Sequence, residues 1–318
     1  MIVMLSNLVF CLNATMPIFL LMLLGMFFMH VGIFTDDFVA KMNSFVFRIA
    51  LPVLIFYDLC REDFYKVWDL KYVAYCFCAT AASILLVTGI SYLLGNKNIQ
   101  GEFIQVAYRS SAAILGVTLV ENIYGTAGMT PLMILGVVPL YNIAAVIDLS
   151  FYKPNRGPMD KKLLAKPCRD ILTNPIILGI VAGLLWSLLE LPMPKVLDTT
   201  VSSVARLATP LGVMAMGATF DIKKALSSIR TAGLGAFIKL FGLCCIFLPI
   251  GIALGFRQDK LVAALIMCGS PSTVSCYVMA KEMGHDGTLT SSTVMLTTLF
   301  SAFSLTMWLF ILKTMGFL

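Results

Sequence analysis

Apolar residues in this chain come in long continuous runs, not in the alternation of a half-buried strand or the single stripe of a soluble helix. Ten runs can be read, at about residues 7–30, 38–58, 69–94, 103–124, 129–152, 171–190, 196–218, 227–254, 260–282 and 288–313. A helix needs about 20 mostly apolar residues to cross roughly 30 Å of hydrocarbon, and each run is long enough. Continuous apolarity disfavours a membrane β-barrel, whose strands alternate with period two. The first run has no basic residue before it and is too long for a signal-peptide core, so it reads as a helix. The pattern predicts an all-α integral membrane protein with ten transmembrane helices, short connections and no soluble domain.

Composition agrees. The 318 residues are 59% apolar and 13% charged, with a mean hydropathy of +0.92, whereas soluble domains carry about 25% charge. That balance argues against a disordered chain, a secreted disulfide scaffold or a nucleic-acid partner. Only His30 and His285 offer imidazole, and none of the nine cysteines forms a Cys-x-x-Cys, so no metal and no cofactor are expected. The cysteines read as small apolar side chains. Neither His-Glu-x-x-His nor Gly-x-Ser-x-Gly occurs, which leaves no basis for an enzyme.

The runs divide into two related halves. At an offset of 158, Thr15, Pro17, Ile18, Leu20, Gly25, Ser44, Val46, Arg48, Ala50 and Pro52 fall on Thr173, Pro175, Ile176, Leu178, Gly183, Ser202, Val204, Arg206, Ala208 and Pro210. At 159, Gly125 and Gly128 fall on Gly284 and Gly287. Chance similarity between apolar helices explains leucines, but not a repeated Arg-x-Ala-x-Pro. Five spans per half is an odd number, so the second half must enter from the opposite side. Inverted repeats are typical of secondary transporters, which bind substrate near the midplane where the halves meet.

Loop charge sets the expected orientation. Lys153, Arg156, Lys161, Lys162, Lys166 and Arg169 lie in the loop joining the halves, residues 153–170. The positive-inside rule places that loop in the cytoplasm and both termini outside the cell membrane.

Ionisable residues inside the runs are costly unless they are paired or reach water. Arg48 and Arg206 are repeat mates and read as architectural braces. Arg109, Glu121, Asp148 and Lys239 are the remaining candidates. Lys239 is too deep to reach water easily and needs a partner, for which Glu121 or Asp148 would serve. The fourth run, with Arg109-Ser110-Ser111 and Gly116, and the ninth, with Gly269-Ser270-Pro271-Ser272, are the least helix-like. Proline deletes a helical hydrogen bond and glycine weakens the helix. Freed backbone at membrane depth is tolerated where it lines protein or a wet cavity. Two interruptions at matching places point to a binding site whose half-helix N-termini suit a carboxylate.

Several motifs resemble the auxin efflux carrier family of bacterial and plant secondary transporters. They are Pro17-(x)7-Gly25, Asp36-Asp37-Phe38, Asn43-(x)8-Pro52, Asn174-Pro175 and Thr209-Pro210-Leu211. In the fourth helix Arg109 and Gly116 match, but Ser111 replaces the family's asparagine and Thr118 its proline, so a weaker break is expected there than in the ninth.

The resemblance implies a fold shared with bile-acid symporters and sodium/proton antiporters. Residues 1–58 and 171–220 would form a scaffold, the first, second, sixth and seventh helices, which also makes a homodimer. Residues 59–152 and 221–318 would form a mobile transport unit, with the basic loop 153–170 between the halves. Gly179 and Gly183 offer close helix contact at that scaffold, either between copies or within the chain. Implied substrates are small organic anions such as malate, malonate or auxin-like acids. Arg109, Ser110, Ser111, Gly116, Gly269, Ser270, Pro271 and Ser272 would bind them. Glu121 or Asp148 would take a coupling proton with Lys239 as countercharge, unless sodium or the membrane potential drives the cycle. A transport-fold sensor, or a channel without coupled flux, is the alternative.

Overall fold

The computed structural model describes residues 2–61, 69–126, 128–154 and 173–318, and these contain helices and no strand. Most of the basic loop lies outside the described residues. The helices are α1 (Ile2–His30), α2 (Asp36–Cys60), α3 (Leu70–Ser91), α4 (Gln100–Tyr108), α5 (Ala112–Tyr124) and α6 (Thr130–Phe151). They continue with α7 (Pro175–Leu188), α8 (Lys195–Ala218), α9 (Ile229–Ala253), α10 (Gln258–Gly269), α11 (Ser275–Glu282) and α12 (Thr288–Thr314). Among the described residues six helices, α2, α3, α6, α8, α9 and α12, are long and apolar enough to cross a membrane, and shorter apolar stretches are Met16–His30 and Pro175–Leu188. The fourth and ninth runs are each two short helices in succession, α4–α5 and α10–α11.

Local chemistry explains where helices bend and stop. Pro52 cannot donate to the carbonyl one turn back, and the chain takes a π-helical turn at Val46–Ala50, closed by Leu51 N–H on the Val46 carbonyl. A second π turn, Ile238–Gly242, carries Lys239 in α9. Gly125 and Gly284, with φ of +75° and +87°, follow α5 and α11 closely, a conformation that glycine adopts without strain. Two acids outside the expected candidates bind helix starts. The buried Glu102 carboxylate accepts from Gly287 N–H at 2.9 Å and Thr290 N–H at 3.0 Å, at the start of α12. Asp259 accepts from Met129 N–H at 2.9 Å, at the start of α6. Carboxylates suit these positive helix ends.

Two apolar cores result. One is built from α3, α4, α5, α6, α9, α10 and α12, around Tyr72, Phe103, Met133, Phe247 and Leu265. The other joins α1, α2, α7 and α8 through Met22, Leu51, Ile180 and Val213, and takes in Val106 of α4, Leu149 of α6, Val278 and Met279 of α11 and Val294 of α12. Helix α2 lies against α7, and α1 against α8. Both contacts depend on glycine. A Cβ on Gly217 would lie 2.0 Å from the Met22 carbonyl oxygen, and one on Gly25 2.1 Å from that of Met214. Gly179 and Gly183 face Pro52 and Phe56 of the same chain, where a Cβ would come within 2.6 Å and 3.1 Å of backbone. Their close approach therefore serves intrachain packing.

Asp69 ties the α3 start to α10. Its carboxylate accepts from Tyr72 N–H at 3.0 Å and pairs with Lys260 at 2.6 Å. The Lys260 ammonium, then the Tyr72 N–H, hold Asp69 below the usual carboxylate range. A depressed folded value means that this stabilisation is present above about pH 4 and is lost as pH falls through the folded value. Asp69→Ala should cost about 1 kcal/mol, the usual loss for a helix cap. It should also flatten acid sensitivity, measured by thermal unfolding in detergent from pH 3 to 7.

Candidate functional site

The site begins where two helices stop. Helix α4 ends at Tyr108, and the backbone runs extended at Arg109 (φ −70°, ψ 137°) before α5 starts at Ala112. Helix α10 ends at Gly269, and Ser270 is likewise extended (φ −74°, ψ 160°) before α11 starts at Ser275. The fourth run is thus broken over three residues without a proline, and the ninth over five with Pro271. The two breaks meet. Ser111 N–H donates to the Pro271 carbonyl at 2.9 Å, and Ser272 Oγ donates to the Val106 carbonyl at 2.6 Å.

Two cations lie at this meeting point. Lys239 is fully buried. Its Nζ donates to the carbonyls of Cys268 at 2.9 Å, Met267 at 3.2 Å and Tyr108 at 3.3 Å, and to the Ser110 hydroxyl. Its partners are therefore the carbonyl ends of α4 and α10, not Glu121 or Asp148. A helix C-terminus carries about half a negative charge, and two converge here on one ammonium.

Arg109 is buried at 3% exposure. Its guanidinium donates to Asn142 Oδ1 at 2.8 Å, Ser275 Oγ at 2.9 Å and Met279 sulfur at 2.8 Å, while Nε has no partner among the described residues. All three acceptors are neutral. Neither Arg109 nor Lys239 forms an ion pair among the described residues.

A cavity of about 450 Å³ opens beside Arg109. Ser111, Asn142, Thr273 and Ser275 line it from the breaks and α6, while Ile18, Leu51, Asp58 and Ala208 line it from α1, α2 and α8. Polar groups at the breaks and on α6 thus face mostly apolar groups of α1, α2 and α8. Such a few-polar, mostly apolar cleft suits a small ligand.

The sequence-derived candidates separate on this geometry. Arg109, Ser110, Ser111, Pro271 and Ser272 line the cavity. The hydroxyls of Ser110 and Ser272 are already committed, to the Met267 and Val106 carbonyls. Ser270 is fully buried with an Oγ unpartnered among the described residues, and neither it nor Gly269 lines the cavity; the surroundings of Gly116, on α5, lie outside what the structure describes. Gly269 instead admits Cys244, whose sulfur would lie 2.6 Å from a Cβ there. Glu121 is exposed on α5. Asp148 is buried and accepts from Tyr108 Oη at 3.1 Å.

Asp58, Asn142, Thr273 and Ser275 were not among the candidates. Asp58 is the last residue of its run and resembles a headgroup-level acid, whereas α2 continues through it to Cys60. Its place in an otherwise apolar run was the available signal.

An apolar helical bundle with two interrupted helices crossing at a polar, cationic centre has the architecture of a multi-pass membrane transporter. The chain belongs to the membrane transport protein family, which it matches over residues 10–309, and the resemblance to auxin efflux carriers holds. It is similar to an "Uncharacterized transporter" of Methanothermobacter thermautotrophicus, 23% identical over 309 residues, which cover 93% of this chain and 96% of the relative. It is 22% identical over 320 residues to a "Putative malonate transporter" of Rhizobium meliloti, covering 94% and 95%. "Auxin efflux carrier component 7" of Arabidopsis thaliana is 22% identical over 137 residues, 41% of this chain and 22% of the relative. The family is one of transporters, not enzymes.

Proposed function

We propose that the chain is a secondary active carrier of small mono- or dicarboxylates across the cytoplasmic membrane. The observation that carries this reading is Arg109, a buried guanidinium bound by neutral groups only and opening on a cavity. A buried cation is costly without a countercharge, and a substrate carboxylate supplies one. Ser111, Thr273 and Ser275 then offer hydroxyls around it. The name of the Rhizobium relative supports a carboxylate.

The mechanism we propose is alternating access between two bodies, arranged as inverted five-span halves. Helices α1, α2, α7 and α8 form the scaffold, which also dimerises, and α3–α6 with α9–α12 move against it. The packing of α2 on α7 and of α1 on α8, and a cavity lined by both sets of helices, support that division. Both termini lie outside in this arrangement, with the basic loop in the cytoplasm.

Coupling falls to a carboxylate, and among the described residues Asp58 is the one that lines the cavity. Its charge opposes an entering anion, so substrate enters with a proton on Asp58. At an effective dielectric near 20 a like charge sharing one cavity repels by more than about 1 kcal/mol, roughly tenfold in affinity. Wild-type affinity should therefore rise as pH falls. Asp58→Asn should bind carboxylates about tenfold more tightly at pH 7.5, with little dependence on pH, as titration against wild type would show. Identical pH profiles for the two proteins would remove Asp58 from coupling.

Counterflow in proteoliposomes tests the function itself. Vesicles preloaded with malonate, malate, succinate or indole acetate should accumulate the labelled acid saturably. Absence of flux with every acid, or linear flux without exchange, would point to a sensor or a channel.

A further inference from the structure

Lys239 has a place in the molecule that its partners define. Four oxygen atoms converge on its ammonium, three backbone carbonyls and one hydroxyl, and none carries a formal charge. The carbonyls of Met267 and Cys268 come from the last turn of α10, and that of Tyr108 from the end of α4. Each lies where a helix has stopped, so its usual N–H partner one turn on is lost or displaced. Unwound carbonyls and half-helix C-termini at a membrane midplane are the groups that bind monovalent cations in carriers with discontinuous helices. Here a side chain fills that place. The π turn at Ile238–Gly242 presents Lys239 toward the crossing from a third helix.

We propose that Lys239 is a tethered cation: its ammonium occupies what is otherwise a monovalent-cation site at the helix crossing, so the carrier works without sodium. This rests on the carrier reading above and narrows its coupling ion. An ammonium has three N–H donors and meets four acceptors, so the oxygen cage is satisfied with no room left for a free ion. Being covalently attached, the charge travels with the transport unit and is never released. It holds the ends of α4 and α10 together in every state of the cycle, which a dissociable ion does only while bound. A neutral side chain would leave two converging helix C-termini without a positive partner and take this donor from the Tyr108 and Cys268 carbonyls, while the Met267 carbonyl keeps the Ser110 and Tyr141 hydroxyls, and each unmet group is costly at that depth.

The test combines the unaltered protein with two substitutions, each full length. In the wild type, counterflow and melting temperature should be the same in sodium and in choline buffer. Lys239→Ala opens the cage and should lose at least about 90% of flux in choline, as expected when a buried charge partner is removed. Methylammonium, or sodium, should restore part of that flux and raise the variant's melting temperature by about 2–4 °C, as a ligand of the folded state does. Lys239→Met fills the space without charge and should be impaired and indifferent to every cation.

Sodium-dependent flux or melting in the wild type would overturn the proposal. So would wild-type flux from either variant in choline, or a Lys239→Ala protein, folded or not, that no cation improves. If no carboxylate moves even in the wild type, the transport reading fails, while the melting series still decides what Lys239 does.

Discussion

Arg109→Gln should abolish carboxylate counterflow while leaving the protein folded and in the membrane. Glutamine can still donate to Asn142 or Ser275, so the local hydrogen bonding is largely kept. The charge is lost. Removing one member of a buried ion pair costs about 3–5 kcal/mol, and every 1.4 kcal/mol is tenfold, so affinity should fall by two to three orders of magnitude. Arg109→Lys separates charge from shape. An ammonium keeps the attraction but cannot reproduce the planar fork that reaches Asn142, Ser275 and a ligand together, so an intermediate loss is expected. The check is binding by thermal shift and flux in the same preparations. Equal loss of expression and flux would mean only that Arg109 braces the break.

A single methyl should be as damaging elsewhere. Gly217→Ala places a Cβ 2.0 Å from the Met22 carbonyl oxygen, and backbone on both sides means that no side chain can swing away. Helices α1 and α8 must separate, and Gly25 makes the reciprocal contact, so both ends of the interface suffer. Overpacking of this kind costs about 1–3 kcal/mol or more. Gly89→Ala is the comparison. It lies inside α3 with nothing within 4 Å of its Cβ, so alanine's helix propensity should stabilise the protein by up to about 1 kcal/mol. Melting temperatures should therefore move in opposite directions for the same chemical change. A similar small shift for both would mean that the α1–α8 contact is looser than drawn.

The contrast between these residues shows what the sequence makes legible. Continuous apolar runs set out the helices, and the long ones begin and end within a few residues of the reading. The interruptions were visible too, since serine, glycine and proline disfavour a buried helix wherever they cluster. The partners were not. Lys239 plainly needed counter-groups, and a carboxylate was the obvious choice, but its acceptors are main-chain carbonyls that exist only because two helices stop beside it. No side chain records that. Ser110 and Ser272 have the same history: the hydroxyls are evident, but their bonds to Met267 and Val106 depend on how the breaks cross. Gly179 and Gly183 announced a close contact without saying against which surface. Asp58 was hidden by its position at the edge of a run, where an acid in solvent and an acid in a cavity look alike. Glu102 escaped for that reason as well, although its carboxylate caps α12 from inside the bundle.

The central claim is that a carboxylate binds where the two breaks cross, facing α2. The most direct measurement is protection of a cysteine placed at Thr273, which lines the cavity between those elements. Thr273→Cys protein in proteoliposomes is treated with a thiol reagent, and modification at position 273 is quantified by peptide mass spectrometry, so that native Cys78 and Cys245 do not interfere. The account predicts that a transported carboxylate slows modification at 273 saturably, at the concentrations that drive counterflow, and that adding Arg109→Gln removes the protection. Unchanged modification at 273 under saturating, transported substrate would contradict it and place the binding site elsewhere.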